Sequence, residues 1–233
     1  MEPYQFLVLP FVEIEIRLGT ISRSKFDTSI DKKYFEKIKE TLDSGDWISC
    51  SNKNTVEYIK QQVDDTKRDG VDYITEKMNA LQFTKLGNLK LITDVTTNSK
   101  NENILMLKEN VLTEDIQLNS SPFDIRYSIN QEFNLKSQMK SFQKNDCVIR
   151  NKSRKSYLSD NFRYDLTIVN ENIDGVIKTK YEIEIELLIN KETLTWKTCY
   201  INDFIECKIY DLINIVEPME REKFKLNLIK NKK

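Results

Sequence analysis

A chain of 233 residues, 39% of them hydrophobic, is long enough to bury a core of its own. Its 36 basic and 37 acidic residues leave a formal charge of −1, so no global field directs it to nucleic acid or an anionic membrane, and any anion site must be local. The absence of histidine excludes histidine-based triads and HExxH zinc sites, and the five glycines form neither G-x-x-x-x-G-K nor G-x-G-x-x-G.

At the start of the chain the apolar run from Phe6 to Val12 is only seven residues long and contains Pro10, which fits neither a signal peptide nor a membrane span. The expected protein is soluble and intracellular. Alternation with period two predicts strands at 11–18, 71–78, 80–86, 88–95, 104–109, 123–133, 147–158, 162–169, 180–189 and 193–200. Between the first two of these, Tyr34, Phe35, Ile38 and Leu42 predict a helix from Asp31 to Leu42, stopped by Ser44 and Gly45. A weaker helix is expected from Thr55 to about Asp65, capped by Asn54, with Val56, Ile59 and Val63 inward. Near the end, Ile201, Phe204, Ile205, Ile209, Leu212, Ile213 and Val216 form the stripe of a helix that Pro218 terminates. The lysine-rich stretch from Lys223 to Lys233 reads as a solvated tail or a linker.

Many strands with few helices predict a mainly β (α+β) protein: one antiparallel sheet system, closed or sandwiched, with the helices outside. No domain boundary interrupts 1–233. Cys50, Cys147, Cys199 and Cys207 have no C-x-x-C spacing and are expected as reduced, buried thiols. Trp47 and Trp196 are expected in the core.

Several strands carry charge on their polar face. In Val12–Leu18, Glu13, Glu15 and Arg17 share one side, and in Tyr181–Leu187 so do Glu182, Glu184 and Glu186. On an ordinary sheet these glutamates would face water. Carboxylates two residues apart repel, however, and glutamate is a poor strand former, so five of them call for a compensating cation. Basic residues are patterned in the same way: Arg126 with Asp124 and Glu132, Lys152 with Arg154, and Arg163 with Asp165 and Thr167. If the sheet closes around these faces, the glutamates suit a hard, oxygen-seeking cation and the arginines and lysines suit phosphate. The chemistry best suited to such a site is in-line attack of an ordered water on a phosphoryl group.

The strands VEIEIRLG and YEIEIELL, with FDIRYSINQE, K-x-R-x-S-Y and R-x-D-x-T in order between them, resemble the tunnel-type RNA 5′-triphosphatases of mRNA capping. The likeness is to the fungal and large-DNA-virus (mimivirus-like) branch of the triphosphate tunnel metalloenzymes and runs from Val12 to Leu188. FDTSIDKKYFEKIKETL is similar to the family's strand-to-helix stretch, and the lysine and asparagine richness suits a viral genome. The resemblance implies an eight-stranded antiparallel β-barrel tunnel that hydrolyses the γ-phosphate of 5′-triphosphate RNA with Mg2+ or Mn2+. It implies Glu13, Glu15 and Glu186 as metal ligands, Glu132 as the water-orienting residue, and Glu182 and Glu184 as supports of metal-bound waters. Arg126, Lys152 and Arg154 match phosphate-binding cations, and Arg163 and Asp165 a bracing pair. Arg17 stands where fungal members carry lysine, and a middle-strand cation is left open between Lys77, Lys85 and Lys90.

The resemblance further implies a single triphosphatase domain over 1–233, free-standing or the N-terminal domain of a larger capping enzyme, and a guanylyltransferase domain or subunit as partner. The expected location is intracellular, in host cytoplasm or virion if the protein is viral. Other readings are a tripolyphosphate or nucleoside triphosphate phosphohydrolase of the same fold, and a non-catalytic β-rich binding module.

Overall fold

The alternating segments fold as strands because one side of each can be buried while the other stays polar. The computed structural model describes residues 11–60, 88–96, 103–135, 147–173 and 175–218. In chain order these form β1 (Val12–Ser22), β2 (Lys25–Asp27), α1 (Lys32–Asp43), β3 (Ser49–Lys60), β4 (Asn88–Asp94), β5 (Asn103–Ile116) and β6 (Asp124–Asn134). They continue with β7 (Val148–Leu158), β8 (Phe162–Ile173), β9 (Val176–Leu187) and α2 (Thr198–Val216).

All neighbouring strands are antiparallel, in the order β1-β6-β5-β4-β3-β7-β8-β9, and β9 pairs back onto β1. The result is a closed eight-stranded barrel, with β2 added as a short hairpin at the end of β1. Closure leaves no exposed edge along the eight strands.

The apolar core lies outside the barrel wall. Ile14, Ile16 and Leu18 of β1, Ile125, Tyr127 and Ile129 of β6, and Ile183 and Ile185 of β9 pack with both helices. From α1 come Phe35, Ile38 and Leu42, and from α2 Ile201, Ile205, Ile209, Leu212 and Ile213. Each such side chain contributes about 1.5–3 kcal/mol by leaving water. Asp31 caps α1 by accepting the Lys33 N–H at 2.9 Å, and Trp47 ties down its other end by donating to the Leu42 carbonyl at 2.6 Å. Trp47 and Trp196 both lie in aromatic contacts of this outer core, as expected.

Five expectations are corrected. The helix expected from Thr55 to Asp65 is β3 as far as Lys60, because its backbone is hydrogen-bonded on both sides, to β4 and to β7. The remainder of that stretch, and the strands expected at 71–78 and 80–86, lie outside the described residues. No strand forms at 193–200. There Asn190 and Thr193 bond locally, with the Asn190 side-chain oxygen accepting the Glu192 and Thr193 N–H groups, and α2 begins at Thr198. The strand expected at 104–109 continues to Ile116 through a bulge at Val111, and the strand expected from 180 begins at Val176. The cysteines are free, but Cys50 and Cys199 are exposed and Cys147 and Cys207 half-buried, which corrects the expectation of buried thiols.

Candidate active site

Since Ile14, Ile16 and Leu18 face outward, Glu13, Glu15 and Arg17 face the lumen, and the same alternation runs through the wall except at the bulge of β5. Register fixes their neighbours: Glu15 is opposite Glu186, Arg17 opposite Glu184, Arg163 opposite Glu186, and Asp165 opposite Glu184.

The acidic end of the lumen gathers Glu13, Glu15 and Glu132 around the ammonium of Lys108. Its Nζ lies 3.1 Å from Glu15 Oε2 and 3.1 Å from Glu132 Oε1, and it is bonded to Glu13. Asn130 also donates to Glu15 at 3.2 Å. Glu186 is held by the guanidinium of Arg163. Burial, and then the charges of Glu15, Glu132 and Glu186, raise the Glu13 carboxyl to about 8 against the pull of Lys108. Burial likewise raises Glu186 to about 7, whereas Arg17 and Lys108 outweigh burial at Glu15 and hold it below its ordinary value.

Next along the lumen lies a network of cations and bracing acids. Arg17 reaches Glu184 at 2.8 Å and Glu15 at 3.2 Å. Arg154 reaches Asp165 at 2.8 Å, Glu184 at 3.1 Å and the Thr167 hydroxyl at 3.1 Å. Asp165, 1% exposed, also accepts from Arg163 at 3.0 Å and from the Ser156 hydroxyl at 2.6 Å. Glu184 is deeply placed, but Arg17 and Arg154 overcome its burial and keep it well below the usual carboxylate range.

Beyond this network Lys152 pairs with Glu57 at 2.9 Å, and Arg150 with Glu182 at 2.6 Å. Lys90 of β4 faces the same space and has no ion-pair partner among the described residues. Burial first, then Lys108 and Lys152, lower its pKa to about 8. The buried Nε of Arg17 has no hydrogen-bond acceptor, and that of Arg150 has only an ion pair with Glu171 at 3.4 Å. Cations crowded together with spare donors are what a phosphate chain requires.

Of the residues singled out in the sequence, Glu13, Glu15, Glu132 and Glu186 meet at the acidic end, and Arg17, Glu184, Arg154, Arg163 and Asp165 form one connected network. Lys152 lies on the same wall. Glu182 stands farther along β9, between Arg150 and the Thr28 hydroxyl, which donates to it at 2.9 Å. Arg126 shares the lumen face of β6 but is turned to Asp115, with Nε at 2.7 Å from Oδ1. Among the three lysines left open, Lys90 is in the lumen; Lys77 and Lys85 lie outside the described residues. Sequence reasoning missed Lys108, Arg150 and Glu57. Arg150 could have been found from its spacing, two residues before Lys152 on an expected strand. Glu57 was hidden by the helical reading of its segment, whereas Lys108, inside the strand expected at 104–109, could have been found from its alternation with Leu105 and Leu107.

The donor set tests whether a metal fits. Three carboxylates around one ammonium, with a fourth opposite Glu15, form an oxygen-only cluster in which burial raises Glu13 and Glu186 above the ordinary carboxylate range. This chemistry fits a hard divalent cation. Among the described residues no three acids form a finished metal cage; Lys108 stands between them, so seating an ion requires that ammonium to move aside.

A closed antiparallel barrel with a carboxylate cluster at one end of its lumen and a guanidinium–ammonium wall beyond it defines a triphosphate tunnel hydrolase. The sequence model of the family described as "mRNA capping enzyme, beta chain" matches residues 7–199, and the chain belongs to that family. It is an RNA 5′-triphosphatase, hydrolysing the γ-phosphate of 5′-triphosphate RNA in mRNA cap formation. Tunnel-type triphosphatases are metal-dependent.

Solved structures share the fold, among them two RNA triphosphatases. The RNA triphosphatase Pct1 of S. pombe is 16% identical with a TM-score of 0.63, over 90% of this chain and 88% of that one. The RNA triphosphatase domain of a trifunctional mimivirus mRNA capping enzyme is 14% identical with a TM-score of 0.56, over 92% and 95%. Comparison with curated protein sequences finds no match. No helix among the described residues is long and apolar enough to cross a membrane.

Proposed function

We propose that Glu13, Glu15 and Glu186 hold one Mg2+ or Mn2+ ion and that the adjoining cations hold the triphosphate of the RNA end. The observation that carries this reading is the convergence of Glu13, Glu15 and Glu132 on a single cation, Lys108, at the edge of a basic wall. When bound, the metal supplies Lewis-acid polarisation of the terminal phosphate and charge neutralisation. Glu132 orients the attacking water beside that phosphate. Arg17, Arg154, Lys152 and Lys90 neutralise the charge that grows on the leaving diphosphate, in a lumen where water competes poorly.

Glu184 and Asp165 fix the guanidinium groups, so that little reorganisation is needed at the moment of reaction. Glu184 also supports the metal's waters from its place opposite Arg17, whereas Glu182, held by Arg150 and Thr28 about 13 Å along the strand from Glu186, supports the basic wall instead. Arg163 braces the wall by joining Glu186 to Asp165. Arg126 stands level with Arg17, where its donors beyond those used by Asp115 meet the phosphate nearest the nucleoside. The diphosphate end that leaves is the substrate for a guanylyltransferase, the partner we infer for this single triphosphatase domain.

Phosphate release from a short 5′-triphosphate RNA, with Mg2+, with Mn2+ and with chelator, tests these assignments. Glu15→Ala is expected to lower metal-dependent turnover at least about a hundredfold. Turnover close to wild type in that variant would remove Glu15 from the metal site.

A further inference from the structure

Along the lumen face of β1 the chemistry changes in order. Glu13 and Glu15 come first, Arg17 follows and Gly19 stands last, with roughly 7 Å between successive positions. Gly19 offers the lumen no side chain, and the ring of Phe26 fills its place. A Cβ on Gly19 would lie 2.6 Å from ring carbons of Phe26 and would also strike the Asp27 carbonyl oxygen. The β2 hairpin, with Phe26 opposite Ile21, therefore lays an aromatic ring across this mouth of the barrel.

The guanidinium of Arg126 covers that ring, 4.7 Å from its centroid. Two hydrogen bonds to Asp115, of 2.7 and 2.9 Å, fix its plane. Arg126 is the register partner of Arg17, so the guanidinium lies level with the basic wall and the ring beside it, both away from the cluster of Glu13, Glu15 and Glu132. Asp124 fixes the surrounding backbone by accepting the N–H groups of Ile21 at 2.6 Å and Leu118 at 3.1 Å.

A metal-bound 5′-triphosphate end presents metal, then phosphates, then nucleoside. The sequence of acid, base and aromatic surfaces along β1 is the same. We propose that Phe26 and Arg126 form a nucleoside shelf on which the first base of the RNA stacks while its triphosphate reaches inward to Glu15; this rests on the placement of the metal at Glu13, Glu15 and Glu186. Bases stack on aromatic rings and guanidinium planes with little dependence on sequence. A ring seated on a glycine and a guanidinium clamped by a carboxylate are already ordered, so stacking costs little further entropy. Such a shelf distinguishes an RNA end from inorganic tripolyphosphate, which has nothing to stack.

The test compares wild type with Phe26→Ala, Phe26→Leu and Phe26→Trp, measuring the KM of a short 5′-triphosphate RNA and the inhibition constant of tripolyphosphate against it. The RNA KM is expected to rise about tenfold relative to that inhibition constant in the Ala and Leu variants, and to return toward wild type in the Trp variant. If the two constants move together, or neither moves, in the Leu variant, which keeps an apolar group over Gly19, the shelf is overturned. Wild-type turnover of the RNA separately checks the placement of the metal and phosphates, whereas the shelf is judged from the ratio.

Discussion

Lys108 Nζ stands 3.1 Å from Glu15 Oε2, a bond that joins β5 to β1 across the intervening β6. Both side chains are largely buried, and the carboxylates drive the lysine well above its ordinary range despite its burial. Removing one member of a buried ionic cluster strands the others' charge. Lys108→Met is therefore expected to lower unfolding free energy by about 3 kcal/mol in chelator. Manganese should raise the variant's Tm more than that of wild type, because the metal then supplies the missing positive charge. Equal shifts in the two proteins would show that Lys108 and metal do not share the carboxylates.

Lys90 titrates within an accessible range. Burial and the neighbouring Lys108 and Lys152 lower it to about 8, so its charge in the free enzyme is present below that pH and lost above it. kcat/KM for RNA, which reports free-enzyme groups, should decline as pH rises through about 8. Lys90→Arg keeps its charge throughout and should move the decline to higher pH. A decline unchanged in that variant would assign it to another group.

Asp43 links the end of α1 to the barrel. Partial burial disfavours its charge, but hydrogen bonds from Lys155, Tyr157 and Lys39 outweigh this and hold its pKa well below the ordinary value. A depressed carboxylate contributes stability above the unfolded value near 4 and loses it as pH falls through the folded value. Asp43→Asn is expected to cost about 1–2 kcal/mol in urea unfolding at pH 7. Its deficit should shrink at pH 3 and below, and a deficit independent of pH would contradict the charged network.

Gly19 is expected to tolerate no side chain. Because one obstacle is the backbone oxygen of Asp27, rotamer changes cannot relieve the clash. Gly19→Ala should destabilise by about 1–3 kcal/mol, read as a lower urea midpoint, through displacement of β2. A neutral Gly19→Ala would mean that β2 can shift without cost.

Much of the wall was readable because charge alternated with apolar residues. Glu13, Glu15 and Arg17, like Glu182, Glu184 and Glu186, could be placed on common faces by parity, and all six face the lumen. The pattern failed where another principle governed the backbone. In β5 the bulge at Val111 moves the lumen-facing set from Lys108 and Asn110 to Thr113 and Asp115, so no single alternation spans the strand. In β3, Asn54 and Glu57 imitate a capped helix, yet pairing to strands distant in sequence satisfies every backbone group of that stretch better than one isolated turn could.

The exposed thiols of Cys50 and Cys199 show the same limit, since residue type states a preference for burial but not which side of a wall the residue faces. Arg126 is a further case. Its spacing placed it correctly on the lumen face of β6, yet its partners, Asp115 and Phe26, come from β5 and β2, and nothing local to it announces either.

By itself the sequence determined the chemistry available: no imidazole, carboxylates and guanidinium groups in strand register, and two apolar helical stripes to cover a sheet. Those properties depend on side-chain type and on spacing along one strand, which period-two geometry translates directly into faces. Only the tertiary structure decided that the polar faces look inward, that Lys108 stands among the glutamates and that Lys90 joins the basic wall. These facts depend on the pairing of β9 back onto β1 and on the register of strands far apart in the chain, where loop closure and the burial of the outer face choose among arrangements that local pattern leaves equal.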